Sequence, residues 1–325
     1  MEFNVMISKL IYRSTLTIIL AINLSGCGGG GGELFQGGAL YNGSGFNSHP
    51  EVNGDLLGKY TTVSANGSDT LADIARRYDL GYKEVLDANP QVQTRGNIAR
   101  GTRLLLPTAY ILPKKKLRRG IVINIADLRL YNFLSDGTVQ TFPVALGKEG
   151  WHTPIANTRI VKMKEAPSWH PPKSIRAFHK KKYGDELPRV VPPGPENPLG
   201  DYALYLGISG YLIHGTASPY SIGRLVSAGC IRMYNHDVER LFNSVKVGTP
   251  VRIIYSPVRA GYRNGNLYLE AQRPITHESA GYSMHADSPE AIVEAAAKKH
   301  GIQVNQGAVK RALRNRTGLP VKINS

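Results

Sequence analysis

Cysteine is nearly absent. The 325 residues hold only two, Cys27 and Cys230, so at most one disulfide can form. Long apolar runs are missing as well: Leu16 to Leu24 is too short to cross a bilayer as a mature helix. Acidic residues are scarce, 24 against 40 lysines and arginines, which leaves a formal charge of +16. Such an excess suits an anionic partner, but no nucleic-acid-binding motif accompanies it. The glycine run Gly28 to Gly32 is not followed by Gly-Lys-Ser/Thr, which excludes a phosphate loop. The nine histidines show no His-x-x-x-His spacing, so neither a metal nor a cofactor is expected.

What is present begins with an address. Lys9 and Arg13 precede the apolar stretch, and together they read as a secretory signal over residues 1–26. Its end, Leu24-Ser25-Gly26-Cys27, resembles the bacterial lipobox. That resemblance implies cleavage before Cys27, lipidation of its thiol, and a membrane partner through the lipid anchor. Gly28 in the next position resembles lipoproteins sorted to the outer membrane. Residues 27–57, rich in Gly, Asn and Ser, read as a flexible linker leaving a membrane surface. Loss of the signal removes two basic residues and one acidic one, so the positive excess persists outside the cytoplasm. There the anionic polymers are peptidoglycan stems, lipopolysaccharide and phospholipid headgroups. With Cys27 lipidated, Cys230 is a lone thiol in an oxidising compartment, which points to a reactive group.

Residues 58–107 form a compact segment. Tyr60-Thr61-Thr62-Val63 alternates as a strand. Ser68 or Asp69 can cap the helix that follows, in which Leu71, Ile74, Ala75 and Tyr78 share a face. A second helix carries Tyr82, Val85, Leu86 and Ala88 and stops at Asn89-Pro90. Gly101 to Pro107 closes with a short strand. The βααβ order and these residues resemble the LysM domain, which binds N-acetylglucosamine-containing glycans. The resemblance implies that Gly67, Asp69, Thr70, Asn89 and Pro90 lie near the sugar. Ser68 departs from the family's usual Gly-Asp pair before the threonine. Tyr110 to Arg119 reads as a basic, solvated connection.

From Gly120 the sequence becomes rich in β-strands. Ile121, Ile123 and Ile125 alternate, Leu128 and Leu130 resume after an Ala126-Asp127 turn, and short strands recur through Phe142–Gly147, Thr158–Val161, Tyr202–Leu206, Tyr211–His214 and Val251–Tyr255. One helix is expected, capped by Asn235, with Val238, Leu241, Phe242 and Val245 on one face and Gly248 at its end. Many short strands and a single helix predict a mainly β fold, a β-sandwich. The basic runs Lys114–Lys116 and Lys180–Lys182 read as solvated loops.

The chemistry concentrates in Ile213-His214-Gly215-Thr216 and Ser227-Ala228-Gly229-Cys230-Ile231-Arg232. A thiolate is a strong nucleophile, but a thiol is only partly ionised at neutral pH, so a nearby base such as His214 is needed. Gly229 lets a substrate acyl group approach the backbone. The amides of Gly229 and Cys230 can face a tetrahedral oxyanion, each such donor being worth about 3 kcal/mol. Ser227 and Arg232 can hold a peptide or its carboxylate, while Gly215 and Thr216 can orient His214 through backbone groups.

This pattern, with Gly147 before Thr153-Pro154, Trp169, Val190-Val191-Pro192 and Asn197-Pro198-Leu199-Gly200, resembles the L,D-transpeptidases of the YkuD type over residues 120–256, in particular the subgroup with an N-terminal LysM module. The resemblance implies a thioacyl-enzyme on Cys230, formed with a peptidoglycan tetrapeptide stem at diaminopimelate with release of D-Ala. The stem then passes to an amine, either of a second stem in a 3–3 cross-link or of an envelope protein. Most members carry a histidine where Ala228 stands, so His214 is left as the base. Two other readings stay open: a LysM-targeted cysteine peptidase, although its nucleophile normally precedes its histidine in the chain, and a non-catalytic wall-binding lipoprotein. The C-terminal extension, residues 257–325, is expected to hold a hairpin about Asn264-Gly265 and helices beginning near Ser288 and Asn305.

Overall fold

A computed structural model describes residues 48–49, 54–92, 95–275 and 287–325. The signal segment, Cys27 and most of the 27–57 linker lie outside the described residues. In the first third, β1 (Ser48–His49), β2 (Leu56–Gly58) and β3 (Thr61–Ser64) precede helices α1 (Leu71–Arg77) and α2 (Tyr82–Ala88), then β4 (Arg103–Leu106) and β5 (Ala109–Ile111). The centre carries β6 (Gly120–Asn124), β7 (Arg129–Phe133), β8 (Val139–Pro143), β9 (Leu146–Gly147), β10 (Ala156–Glu165), α3 (Lys173–Tyr183), β11 (Tyr202–Leu206), β12 (Leu212–His214), β13 (Leu225–Ser227), β14 (Ile231–Arg232), α4 (Asn235–Ser244) and β15 (Pro250–Ile254). The last part holds β16 (Val258–Arg263), β17 (Asn266–Ala271), α5 (Pro289–His300), α6 (Gln306–Asn315) and β18 (Val321–Lys322).

The central strands make one mixed sheet in the order β1-β8-β7-β6-β15-β10-β11-β12-β14. It curls because β10 changes partner along its length. Ala156–Arg159 pair with β15, whereas Ile160–Glu165 pair with β11, and a bulge falls between Ile160 and Lys162. The two limbs therefore close over one core. Ile121, Ile123, Leu130 and Phe142 come from one limb, Leu204, Leu206, Ile213 and Ile231 from the other, and Val238 and Leu241 of α4 complete it. The expected sandwich is thus a single curled sheet rather than two separate ones. This geometry sets β12 beside β14 at the sheet's end, with α4 packed against β11 and β12.

The expectation of one helix in this span is corrected by α3. It escapes a periodicity reading because it buries none of its residues, and its sequence is dominated by lysines that also suit a loop. Gly184, in the left-handed region at φ 85°, ends it and donates to Lys180. Asn235 is likewise not the cap of α4: Tyr234 holds that place, and the Asn235 side chain turns elsewhere.

In the first third, β3 pairs antiparallel with β4, and Leu71, Ile74, Ala75, Leu80 and Val85 pack beneath them against Leu104 and Leu106. Thr70, not Ser68 or Asp69, caps α1, in a capping box with Asp73. This small unit does not hang free. The exposed N–H groups at the start of α2 find carbonyls in the segment that joins β12 to β13: Tyr82 donates to Ile222 and Lys83 to Gly223, both at 3.2 Å. Arg224 lies over the Tyr82 ring at 3.4 Å, and the Tyr234 hydroxyl donates to the Leu80 carbonyl at 3.0 Å. The fully buried Arg129 of β7 meets Glu84 of α2 at 2.6 Å. At the other end, β16, β17 and β18 form a sheet covered by α5 and α6, with Leu267, Leu269, Val293, Val309 and Ile323 between them.

Candidate active site

The pairing of β12 with β14 brings the two chemical residues together. These strands are parallel, with Ile213 opposite Ile231 and His214 opposite Arg232. Ile213 and Ile231 point into the core. Side chains alternate along a strand, so His214 and Arg232 lie on the other face, together with Cys230 one step before β14. Thiol, imidazole and guanidinium thus share one face at the sheet's end.

His214 is buried, and its Nδ1 lies 2.6 Å from the Gly215 carbonyl. A carbonyl only accepts, so Nδ1 carries the proton and Nε2 keeps the lone pair. Burial first, then the Arg232 charge, pull the imidazole down to about 3, against backbone hydrogen bonds at Gly215 and Leu199. The ring is therefore a neutral base at neutral pH. Cys230 is half-buried and unpaired, and its Sγ lies 3.5 Å from the Gly210 carbonyl. Burial raises its pKa, while a backbone hydrogen bond from Leu212 and the Arg232 charge oppose the rise. Burial thus favours a neutral thiol and a neutral imidazole at rest, a state suited to base-assisted attack rather than to a preformed ion pair. Arg232 has a buried Nε without a hydrogen-bond partner and is depressed by burial, with Cys230 opposing.

The other expected site residues divide. Gly229 sits at φ +104°, and a Cβ there would meet the Tyr211 ring at 3.0 Å, so only glycine keeps this turn. Its N–H, expected to face an oxyanion, instead donates to Ser227 Oγ at 3.1 Å, which leaves the Cys230 amide as the candidate donor. Ser227 is buried, and its hydroxyl also donates to the Cys230 carbonyl at 2.6 Å. Its one donor and one of its lone pairs are thus engaged within the loop. Thr216 bonds away from the imidazole through two of its polar groups. Its N–H donates to Asn235 Oδ1 at 2.8 Å, and its hydroxyl accepts from Ser218 N–H at 3.0 Å.

In the first third, Asp69 makes a two-point pair with Arg77, at 2.7 and 2.5 Å. Thr70 is occupied as a cap, and Asn89 is buried with its amide spent on Val85 and on both backbone groups of Leu105. These three side chains hold the unit together. Of the five glycan candidates, Pro90 is exposed, Gly67 and Thr70 are half-buried, and Asp69 and Asn89 are buried.

Several residues that were not expected at the site surround it. The Thr153 hydroxyl accepts from Gly147 N–H at 3.0 Å and donates to the Gly229 carbonyl at 2.8 Å, fastening the Thr-Pro turn to the nucleophile's loop. Tyr211 packs on Gly229 and donates to the His152 carbonyl at 3.2 Å. Asn235 fits so closely against Gly215 that a Cβ there would lie 2.2 Å from its Oδ1. Across the Gly147–Thr153 loop, α3 leans in: Phe178 meets Trp151 edge-on at 6.2 Å and takes Lys148 Nζ over its face at 4.3 Å. The Thr153-Pro154 dipeptide was a visible signal for the first of these contacts. The others depend on residues distant in sequence.

The profile of the L,D-transpeptidase catalytic domain, YkuD, matches residues 118–253. The chain is 37% identical over 282 residues to the "Probable L,D-transpeptidase ErfK/SrfK" of Escherichia coli K12, covering 85% of this chain and 90% of that one. It is 36% identical over 270 residues to the "Probable L,D-transpeptidase YbiS" of the same organism, covering 81% and 86%. A third relative there, "Probable L,D-transpeptidase YcfS", is 38% identical over 237 residues, 70% of this chain and 73% of its own.

Proposed function

Because the chain belongs to the L,D-transpeptidase family of enzymes, we propose that it remodels peptidoglycan through a thioacyl-enzyme on Cys230. His214 Nε2 takes the thiol proton while Sγ bonds to the carbonyl at the L-centre of diaminopimelate in a tetrapeptide stem. The amide bond to D-Ala breaks, and the imidazolium returns the proton to the departing amine. An acceptor amine, from a second stem or an envelope protein, then attacks the thioester. The C–S bond breaks and the thiol is regenerated. The observation that carries this reading is the parallel register that sets His214 opposite Arg232, two residues after Cys230, with Nδ1 of His214 held on the Gly215 carbonyl.

Arg232 favours the thiolate as it forms and offers a cation to a stem carboxylate. The Cys230 amide is the proposed oxyanion donor. Residues 58–107 are proposed as a LysM unit that holds glycan strands near the site. With Asp69, Thr70 and Asn89 committed internally, glycan contact falls to the loops at Gly67 and Pro90 and their backbone groups. The apolar start and Leu24-Ser25-Gly26-Cys27 support an exported, lipid-anchored protein on the periplasmic side of the envelope, at the outer membrane.

The test is incubation of purified protein with tetrapeptide muropeptides, read by mass spectrometry. The wild type is expected to release D-Ala and form a covalent adduct. Cys230→Ala is expected to do neither and to lose covalent labelling by a carbapenem, a drug class that acylates this family. Labelling that persists in Cys230→Ala sinks the assignment. For the anchor, Cys27→Ser is expected to move the protein out of the membrane fraction.

A further inference from the structure

Behind the active site, three groups converge that the proposed reaction does not use. Asp79 follows α1, whereas His236 and Asp237 stand in the first turn of α4. One ligand atom from each lies within 4.8 Å of the others. His236 Nε2 is 2.8 Å from Asp79 Oδ1 and 3.7 Å from Asp237 Oδ1. These separations bracket the edge of about 3.3 Å that a tetrahedral site with bonds of about 2.0–2.1 Å requires.

The carboxylates themselves point to a ligand. Asp237 is 0% exposed and Asp79 3%. Both oxygens of Asp237 and Oδ2 of Asp79 are buried without a hydrogen-bond partner. The imidazole and Arg240 each lie 3.7 Å from Asp237 Oδ1, and the Arg129 charge also acts on it. Burying acids in this state is costly unless a cation or a proton compensates. The imidazole is held flat against Tyr234, with ring centroids 5.6 Å apart and planes 8° apart, so its nitrogen is already aimed. Its side chain is half exposed, which leaves water a route to a fourth position.

We propose that Asp79, His236 and Asp237 bind a divalent first-row transition cation of the Zn2+ type, which clamps the end of α1 to the start of α4. One imidazole nitrogen with two carboxylate oxygens suits Zn2+, whereas Mg2+ and Ca2+ prefer larger all-oxygen shells. Binding displaces the proton that joins His236 to Asp79, so affinity rises with pH. The clamp lies next to Asn235, whose side chain holds the Thr216 amide beside His214. No sequence spacing could signal it, because Asp79 and His236 are 157 positions apart.

The test is titration of the full chain with ZnCl2 by calorimetry and by thermal melting, in a Cys230→Ser background so that the thiol cannot take the metal. The expected result is one Zn2+ per chain and a higher melting temperature, with no response to MgCl2. His236→Ala, at an exposed position, is expected to fold normally and to weaken binding by at least the roughly 10–100-fold typical of a lost supporting contact at a metal site. Asp237→Asn is expected to weaken it similarly. Absence of binding in Cys230→Ser overturns the proposal. So does binding in His236→Ala as tight as in its parent, which would place the metal elsewhere.

Discussion

The Gly229 amide donates to the Ser227 hydroxyl at 3.1 Å, and the same hydroxyl donates to the Cys230 carbonyl at 2.6 Å. One side chain thereby closes the turn that presents the nucleophile. With the Thr153 hydroxyl on the Gly229 carbonyl, both backbone polar groups of that glycine are engaged. The loop is therefore held from inside the fold.

Ser227→Ala should therefore act on the nucleophile's geometry without touching substrate. It leaves the Cys230 carbonyl and the Gly229 amide without their partner in a buried place, a cost of about 1–3 kcal/mol. The expected outcome is a folded protein whose labelling by a carbapenem slows roughly tenfold or more, with Ser227→Thr partly restoring it. Time-resolved intact-mass spectrometry reads this directly. An unchanged labelling rate in Ser227→Ala would make the tie dispensable.

The protonation states of the pair fix a pH profile. Burial and Arg232 lower His214 to about 3, and burial raises the Cys230 thiol. Neither group titrates between those limits. The second-order rate constant for labelling is expected to stay nearly flat from about pH 4 to pH 8, within the range where the protein is folded. A limb centred near 6.5 in that profile would mean that the imidazole is solvated and free to protonate.

The same imidazole links stability to acid. Its ordinary value is 6.5 and its folded value about 3, so between them the unfolded chain binds a proton that the folded chain does not. This contribution to stability is fully present above 6.5 and is lost as pH falls toward 3. The slope approaches about 1.4 kcal/mol per pH unit for one proton. Urea unfolding across that window should give a steeper loss for the wild type than for His214→Gln, whose side chain does not titrate. Parallel curves would refute the link.

How far the sequence could be read follows from how local each determinant is. The helix faces of Leu71–Tyr78 and Val238–Val245 and the alternation of Ile121–Ile125 depend on short spacings, and they were legible. The curl of the sheet was not, because it depends on a bulge at Val161 that changes a strand's partner without leaving a mark in hydropathy. Helix α3 was missed since it buries no residue. Asn89, Asp69 and Ser227 looked like contact residues because polar side chains near turns serve ligands and backbones equally well. Only their partners tell the two roles apart.

Asn235 illustrates a determinant that sequence cannot assign. Its Oδ1 accepts from the Thr216 amide at 2.8 Å and rests against Gly215, the residue whose carbonyl fixes the His214 ring. Asn235→Ala should strand that amide and open a gap behind the base. We expect a loss of about 1–3 kcal/mol in stability and a slower labelling rate, although Asn235 is not placed at the thiol. Asn235→Asp keeps the acceptor and suits the N-terminal turn of α4, so it should recover most of both. Full activity in Asn235→Ala would show that the His214 ring needs no support from this side.

The strongest mutational effect outside the active site is expected at the joint between α2 and the central sheet. Arg129 is fully buried, and Glu84 is its carboxylate partner at 2.6 Å, with the Thr141 hydroxyl at 2.7 Å and the Tyr110 ring 4.0 Å from the guanidinium. Glu84→Ala removes the countercharge and leaves a buried cation, which typically costs about 3–5 kcal/mol. It also takes away the acceptor of the Gly81 amide at the start of α2. The expected outcome is a large fall in melting temperature, with residues 58–107 becoming sensitive to protease before the central sheet does. Removing the charge together with its partner, in Glu84→Leu with Arg129→Met, should cost much less than Glu84→Ala alone, because no unpaired ion then remains inside. A double variant as unstable as Glu84→Ala would show that the joint is held by packing shape rather than by this pair.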